Sequence, residues 1–448
     1  MELFQRKQLG ELIRKIRKSR DLRMEDLADN NASPATISNV ERGVPHVSTD
    51  KIYYLLEEKL GVDRDELPEL MLDQQEKLSV LREKLRMIEY LCQINKPERA
   101  LEKLEKIDID SEVHPYAPIF YRLKGHCYEL SNDFERAERL YVESIRLSQQ
   151  SEYGKLDNEV SICLSSIAFC SYSQNDIYRA IDYVDQSLQA FSLSSETPDL
   201  RYILIHDKAT YLSRVGRNAE ALKTLENLKE SLNEIKRLDI ILPIYDLFSK
   251  LSLENKLYDD AIQYVKSGID LAQPTQQYAH IFGLWTTLGS IYLSTKQLER
   301  AEESFEMATQ VEKLVNSRII STLYSRLGAL YIHQKRWDDA LYAANNAQEN
   351  AERHEDFPKL VESLMVLGDV YRWQGEPHRS TPIYEKALKL SQENDLLHKE
   401  LQIASRLAKS WESLDQKEFN RYLRHMYDLQ TKHKNFFFEG ADYLEGLA

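Results

Sequence analysis

Over the first sixty residues the apolar positions fall at helical spacing. Leu9, Leu12, Ile13 and Ile16 share one face, while Arg14, Lys15, Arg17, Lys18 and Arg20 stay on the wet side, which predicts an amphipathic first helix. Leu27 and Ala28 give a second helix a small inward face. Asn30, Asn31 and Ala32 then make a turn, Ser33 is a good N-cap, and Pro34 suits the first position of a third helix. In that helix Ile37 and Val40 point inward. Ala35, Thr36, Ser38, Asn39 and Arg42 are left on the faces that could meet a ligand, and Gly43 stops the helix. Short polar side chains and one Arg near a helix N-terminus are what a helix needs to approach base edges in a DNA major groove. A fourth helix is predicted from about Ser48 to Leu60, with Gly61 as its stop.

From about residue 78 the pattern becomes a repeat. A small residue is followed three positions on by an aromatic, and twelve positions on by an Ala. Gly289, Tyr292 and Ala301 show it, as do Gly328, Tyr331 and Ala340, and Gly125, Tyr128 and Ala137. Gly368, Tyr371 and Tyr384 form a further copy, and weaker ones centre on Ala168 with Ala180, Ala209 with Ala221, and Ser249 with Ala261. The anchors at 137, 180, 221, 261, 301, 340 and 380 lie 39 to 43 residues apart. This spacing resembles the tetratricopeptide repeat, a helix pair in which small residues permit close crossing, although the units here exceed the usual period of about 34 residues. A first pair near Ser79 to Ile107 and an atypical last pair near Leu401 to Leu429 bring the total to about nine.

Composition narrows the class further. A chain of 448 residues is too long for one compact core, and only 14 Gly with interspersed charges favour a soluble helical protein. No apolar run reaches membrane-spanning length and the N-terminus does not read as a signal peptide, so no membrane partner and a cytoplasmic location are expected. Cys92, Cys127, Cys163 and Cys170 fall within helical patterns without metal-type spacing, and read as free thiols. Residues 1–23 carry a local charge of +5, whereas residues 1–62 net about +1, so the body carries the remaining −15 of a total of −14. Attraction to phosphates is thus confined to one edge of the head. A Gly-rich phosphate loop, His-Glu-x-x-His, Cys-x-x-Cys and Gly-x-Ser-x-Gly are all missing, so no enzyme, metal or cofactor is expected.

The head, over roughly residues 9 to 67, resembles the Cro/phage-repressor-like (XRE) helix-turn-helix family, most specifically in Thr36-Ile37-Ser38 and Glu41-Arg42-Gly43. Met24 stands where that family usually has Gln, which shifts weight to Arg23 and the third helix. The expected DNA contacts are Thr36, Ser38 and Asn39 toward bases, Ala35 on the same free face of the third helix, and Arg14, Arg17, Arg23 and Arg42 toward phosphates or groove edges. One head contacts few base pairs, so a homodimer or higher homo-oligomer on palindromic double-stranded DNA is expected.

An XRE-type head on about nine long tetratricopeptide units resembles the RRNPP family of peptide-responsive quorum-sensing regulators, most closely its NprR and PlcR branch. The resemblance implies an all-α fold: residues 1–67 as the DNA-binding domain, 68–77 as a linker, 78–434 as a right-handed superhelix for peptide binding and dimerisation, and 435–448 as a tail. It also implies that a short re-imported signalling peptide lies on the concave face, lined by the first helix of each pair. On this chain those positions hold Tyr172, His206, Thr210, Arg214, Asp246, Lys250, Thr286, Ser290, Arg326, His333, Asp369, Arg372 and Trp373. NprR-like members further imply a second role through a phosphorelay response regulator. A regulator whose body binds a protein instead of a peptide is the alternative.

Overall fold

The computed structural model describes residues 3–109, 114–150, 158–193, 197–412 and 414–432, and its regular elements are all helical. The tail expected over 435–448 lies outside the described residues. Two compact units divide the chain, residues 1–200 and 201–448.

The first unit opens with α1 (Leu3–Ser19), α2 (Met24–Leu27), α3 (Pro34–Glu41) and α4 (Thr49–Tyr54), the last running into a π turn at Leu55–Lys59. Leu9, Leu12, Ile13, Leu27, Ile37, Val40, Ile52, Leu55 and Leu56 form their common core. Helix α1 crosses α3 so tightly that a Cβ at Gly10 would run into the Val40 carbonyl oxygen. The start of α3 follows its capping chemistry, since the Ser33 Oγ accepts from the Thr36 N–H at 3.2 Å.

Helix α5 (Leu67–Gln93) then runs unbroken through the segment expected as a linker. Pro68 sits in its first turn, where a missing N–H costs little, and no other Pro or Gly interrupts it. Leu67 belongs to the head core, whereas Leu85, Ile88 and Cys92 belong to the next core along with Leu123 and Cys127. One helix therefore serves two cores. The first unit continues with α6 (Pro97–Leu104), α7 (Ala117–Leu130), α8 (Phe134–Gln150), α9 (Glu159–Ser173) and α10 (Ile177–Ala190).

The second unit holds α11 (Leu200–Arg214), α12 (Asn218–Glu226), α13 (Leu238–Glu254), α14 (Tyr258–Ala272), α15 (Tyr278–Ser294) and α16 (Leu298–Val311). It ends with α17 (Ile320–His333), α18 (Trp337–Arg353), α19 (Phe357–Trp373), α20 (Pro377–Glu393), α21 (Leu397–Trp411) and α22 (Gln416–Lys432). Counted from α5, the described residues make nine helix pairs. All seven anchor positions, from Ala137 to Ser380, are fully buried, because that is where the two helices of a pair cross. At Gly368 a Cβ would strike the ring of the buried Tyr384. Within the first eight pairs the turns are short and carry one left-handed residue: Asn95, Asn132, Asn175, Gly216, Lys256, Lys296, Lys335 and Gly375.

Successive first helices touch within each unit: α5 with α7 and α7 with α9, then α13, α15, α17, α19 and α21 in sequence. Successive second helices approach one another less, so the first helices line the tighter, inner side of each stack.

Candidate functional site

In the head, α3 and its C-cap leave Ala35 and Arg42 exposed and Thr36, Ser38 and Asn39 partly so, while Ile37, Val40 and Glu41 are buried. The Arg42 guanidinium folds back along the helix and donates to the Asn39 Oδ1 at 2.5 Å. Ser38, Asn39 and Arg42 therefore form one polar patch. The turn before α3 is held by Asp29, which accepts from the Asn31 and Ala32 N–H groups at 2.8 and 3.0 Å and from the Tyr54 hydroxyl. Its carboxylate also pairs with Lys59 at 2.9 Å, and the Lys59 and Tyr54 contacts hold its pKa well below the usual range.

Arg17 does not reach the DNA-facing surface. It is buried, its Nε and Nη2 donate to the Glu41 carboxylate at 2.6 and 2.9 Å, and its Nη1 donates to the Leu22 carbonyl at 2.8 Å. The expectation of a phosphate contact is corrected by this geometry, because a bidentate pair inside the core leaves no free donor face. Two further arginines of the basic edge also bond inward, Arg6 to Thr49 Oγ1 at 2.9 Å and Arg20 to the Leu60 carbonyl at 2.6 Å. Lys15, Lys18, Arg23 and Arg42 keep exposed side chains, and Arg14 is half-buried. Glu41 was visible in the sequence only as part of a motif. Its place four residues after the inward Ile37, on the same helix face, is the available signal for a buried role.

On the inner helices of the first unit, Tyr172 is half-buried on α9. At the opposite end of α9, Arg122 bridges Glu89 of α5 and Glu159 of α9 at 3.0 and 2.7 Å.

The remaining peptide-contact candidates all lie in the second unit, and they divide sharply. Thr286 and Ser290 are buried, and their hydroxyls donate to the Phe282 and Thr286 carbonyls at 2.8 Å each. Asp369 is also buried, accepting from the Tyr384 hydroxyl at 2.5 Å and from Arg406 Nε at 3.0 and 3.1 Å. These three are corrected from ligand contacts to internal ones: successive first helices close on each other at those positions. Arg326 pairs with Glu362 at 2.6 Å, with Lys399 at 4.0 Å on the other side. Burial alone would raise the Glu362 pKa, but Arg326 and Lys399 pull it down to about 2. Arg372 lies over the Trp373 ring, Lys250 pairs with Asp246 at 2.6 Å, and His206 lies 3.1 Å from Asp207. Thr210 and His333 stay partly exposed. Arg214 is exposed and forms no ion pair among the described residues.

Residues 282–313 and 318–393 each match a tetratricopeptide-repeat family model. No curated protein matches the sequence. A Rap protein complexed with competence and sporulation factor is similar in structure, at 13% identity and TM-score 0.59 over 80% of this chain and 98% of that one. The apo quorum sensor NprR from B. thuringiensis gives 15% identity and TM-score 0.59 over 79% and 99%. The Rap conjugation gene regulator of plasmid pLS20, in complex with the Phr* peptide, gives 13% and 0.50 over 72% and 99%. Among the described residues the fold is all-α, with tetratricopeptide repeats matched at 282–313 and 318–393. More particularly, its repeats have the fold of the Rap and NprR proteins. No described helix is long and apolar enough to cross a membrane.

Proposed function

We propose that this chain is a cytoplasmic transcriptional regulator of the RRNPP kind: its head reads double-stranded DNA as a dimer, and its repeats receive a short signalling peptide. The uncovered polar face of α3, with Ser38, Asn39 and Arg42 gathered on it, carries the reading. Direct base readout needs such a face, and it stands on a capped helix crossing α1 closely. For the repeats, the support is fold likeness to a Rap-family regulator solved with a peptide. Arg214, an exposed cation with no ion pair among the described residues, suits an anionic peptide terminus.

Selection of duplexes from a random library by the full chain gives the cognate site. At that site Asn39→Ala should cost on the order of 1–3 kcal/mol, with little loss on random DNA. Equal loss on both would remove α3 as the reader. Calorimetry with synthetic peptides encoded beside the gene tests the repeats, where Arg214→Ala should weaken binding and leave peptide-free DNA binding intact. Tight binding of a response regulator with no response to any such peptide would instead favour the protein-partner reading.

A further inference from the structure

Cys92 and Cys127 form a feature that neither DNA nor peptide binding uses. Cys92 lies in the last turn of α5 and Cys127 near the end of α7, both buried, with their sulfurs 3.6 Å apart. The other two thiols differ. Cys163 makes its contact with the Ser144 hydroxyl at 3.3 Å, and Cys170 lies two turns further along α9.

We propose that Cys92 and Cys127 are an oxidant-sensitive thiol pair, converted by a peroxide into a reversible disulfide that clasps α5, the helix carrying the head, to α7. The Cys92 thiolate attacks one peroxide oxygen, the O–O bond breaks, and hydroxide leaves to be protonated to water. Cys92 is then a sulfenic acid. The Cys127 sulfur displaces its hydroxyl as a second water, so two thiols lose two electrons and both protons end in water.

The surroundings fit this order of events. Sharing a proton with Cys127 favours the Cys92 thiolate, as do the nearby His126 and Arg122, and its pKa falls below the ordinary thiol value. The same contact, together with burial, pushes Cys127 up in the reduced pair; the contact ends once Cys92 is oxidised, and Cys127 gives up its proton as it attacks. Burial raises Cys170 to about 12, which makes it unreactive. Access comes from the helix end: residues 93–96 are exposed, and the left-handed Asn95 closes α5 directly above Cys92. Fraying of one terminal turn opens the thiol without unfolding the repeats.

The test uses the full chain, reduced and then exposed to hydrogen peroxide at one- to tenfold excess. Remaining thiols are alkylated and the digest is read by mass spectrometry. A linked Cys92–Cys127 peptide should accumulate and disappear with dithiothreitol, while Cys163 and Cys170 stay reduced. The melting temperature should rise by several degrees on oxidation, and the rise should vanish in Cys127→Ala. In that variant Cys92 should advance to the sulfinic acid, having lost its resolving partner. No linked peptide in the wild-type chain, or oxidation of Cys163 and Cys170 in step with Cys92, would overturn the proposal.

Discussion

The head and the repeats bury charge in different ways. The head encloses one bidentate pair, Arg17 with Glu41, among Leu, Ile and Val side chains, and that pair joins α1 to α3 only once. The repeats place their most buried ion pairs between successive first helices, with Arg122 on two glutamates, Glu362 between two cations and Asp369 under Arg406. Behind these, each pair is closed by a small residue against its neighbour. A core built from unique contacts fails as a whole when one is removed. A stack held by nearest neighbours spreads the loss and keeps the rest.

The largest effect that would test this contrast is in the head. Arg17→Ala leaves Glu41 buried and unpaired, and should cost on the order of 3–5 kcal/mol. Thermal melting followed by near-UV signals should show the head unfolding first with the repeats intact, and DNA binding lost on every sequence. If Arg17→Ala melts like the parent and loses only salt-dependent affinity, Arg17 is a phosphate contact and the contrast fails.

Next comes Glu362. Its pKa falls from 4.5 to about 2 on folding, so its contribution is present above pH 4.5 and is lost as pH drops toward 2. The difference corresponds to about 3 kcal/mol. Glu362→Gln should therefore flatten the acid limb of a denaturation profile between those pH values, and an unchanged limb would mean the pair contributes nothing. The smallest effect is expected at Gly368→Ala, about 1–3 kcal/mol through the clash with Tyr384. Hydrogen exchange should rise in α19 and α20 and their neighbours while α13 and α14 stay protected. Uniform loss across the second unit would show one cooperative core instead of a stack.

Much of this was legible in the sequence, and the gaps have a common cause. The cap at Ser33, the inward Ile37 and Val40, and the seven buried anchors follow from local spacing, because each depends on residues within one or two turns. Arg17 could not be told from Arg14 or Lys18 in the same way. It lies four residues after Ile13, on the flank of the apolar stripe, and its fate was decided by Glu41 on another helix. Asp369 shows the same thing at longer range, since Arg406, 37 residues away, takes it. The position rule for the repeats marks the inner helices correctly but not how closely they shut, which is why Thr286 and Ser290 turned inward. The segment at 68–77 became helix because nothing there breaks one.

That uninterrupted α5 also acts as an angular setting. At about 1.5 Å and 100° per residue, its 27 residues form a rod roughly 40 Å long whose two ends are fixed in phase. Adding one residue at its middle would swing the DNA-facing helix by more than a quarter turn around the rod, whereas adding seven would nearly restore its bearing and move it outward by about 10 Å. The length of this helix, counted in residues, therefore selects which way the head points from the first repeats. Related chains could change the separation and facing of paired DNA half-sites by indels there, without altering a single residue in either core.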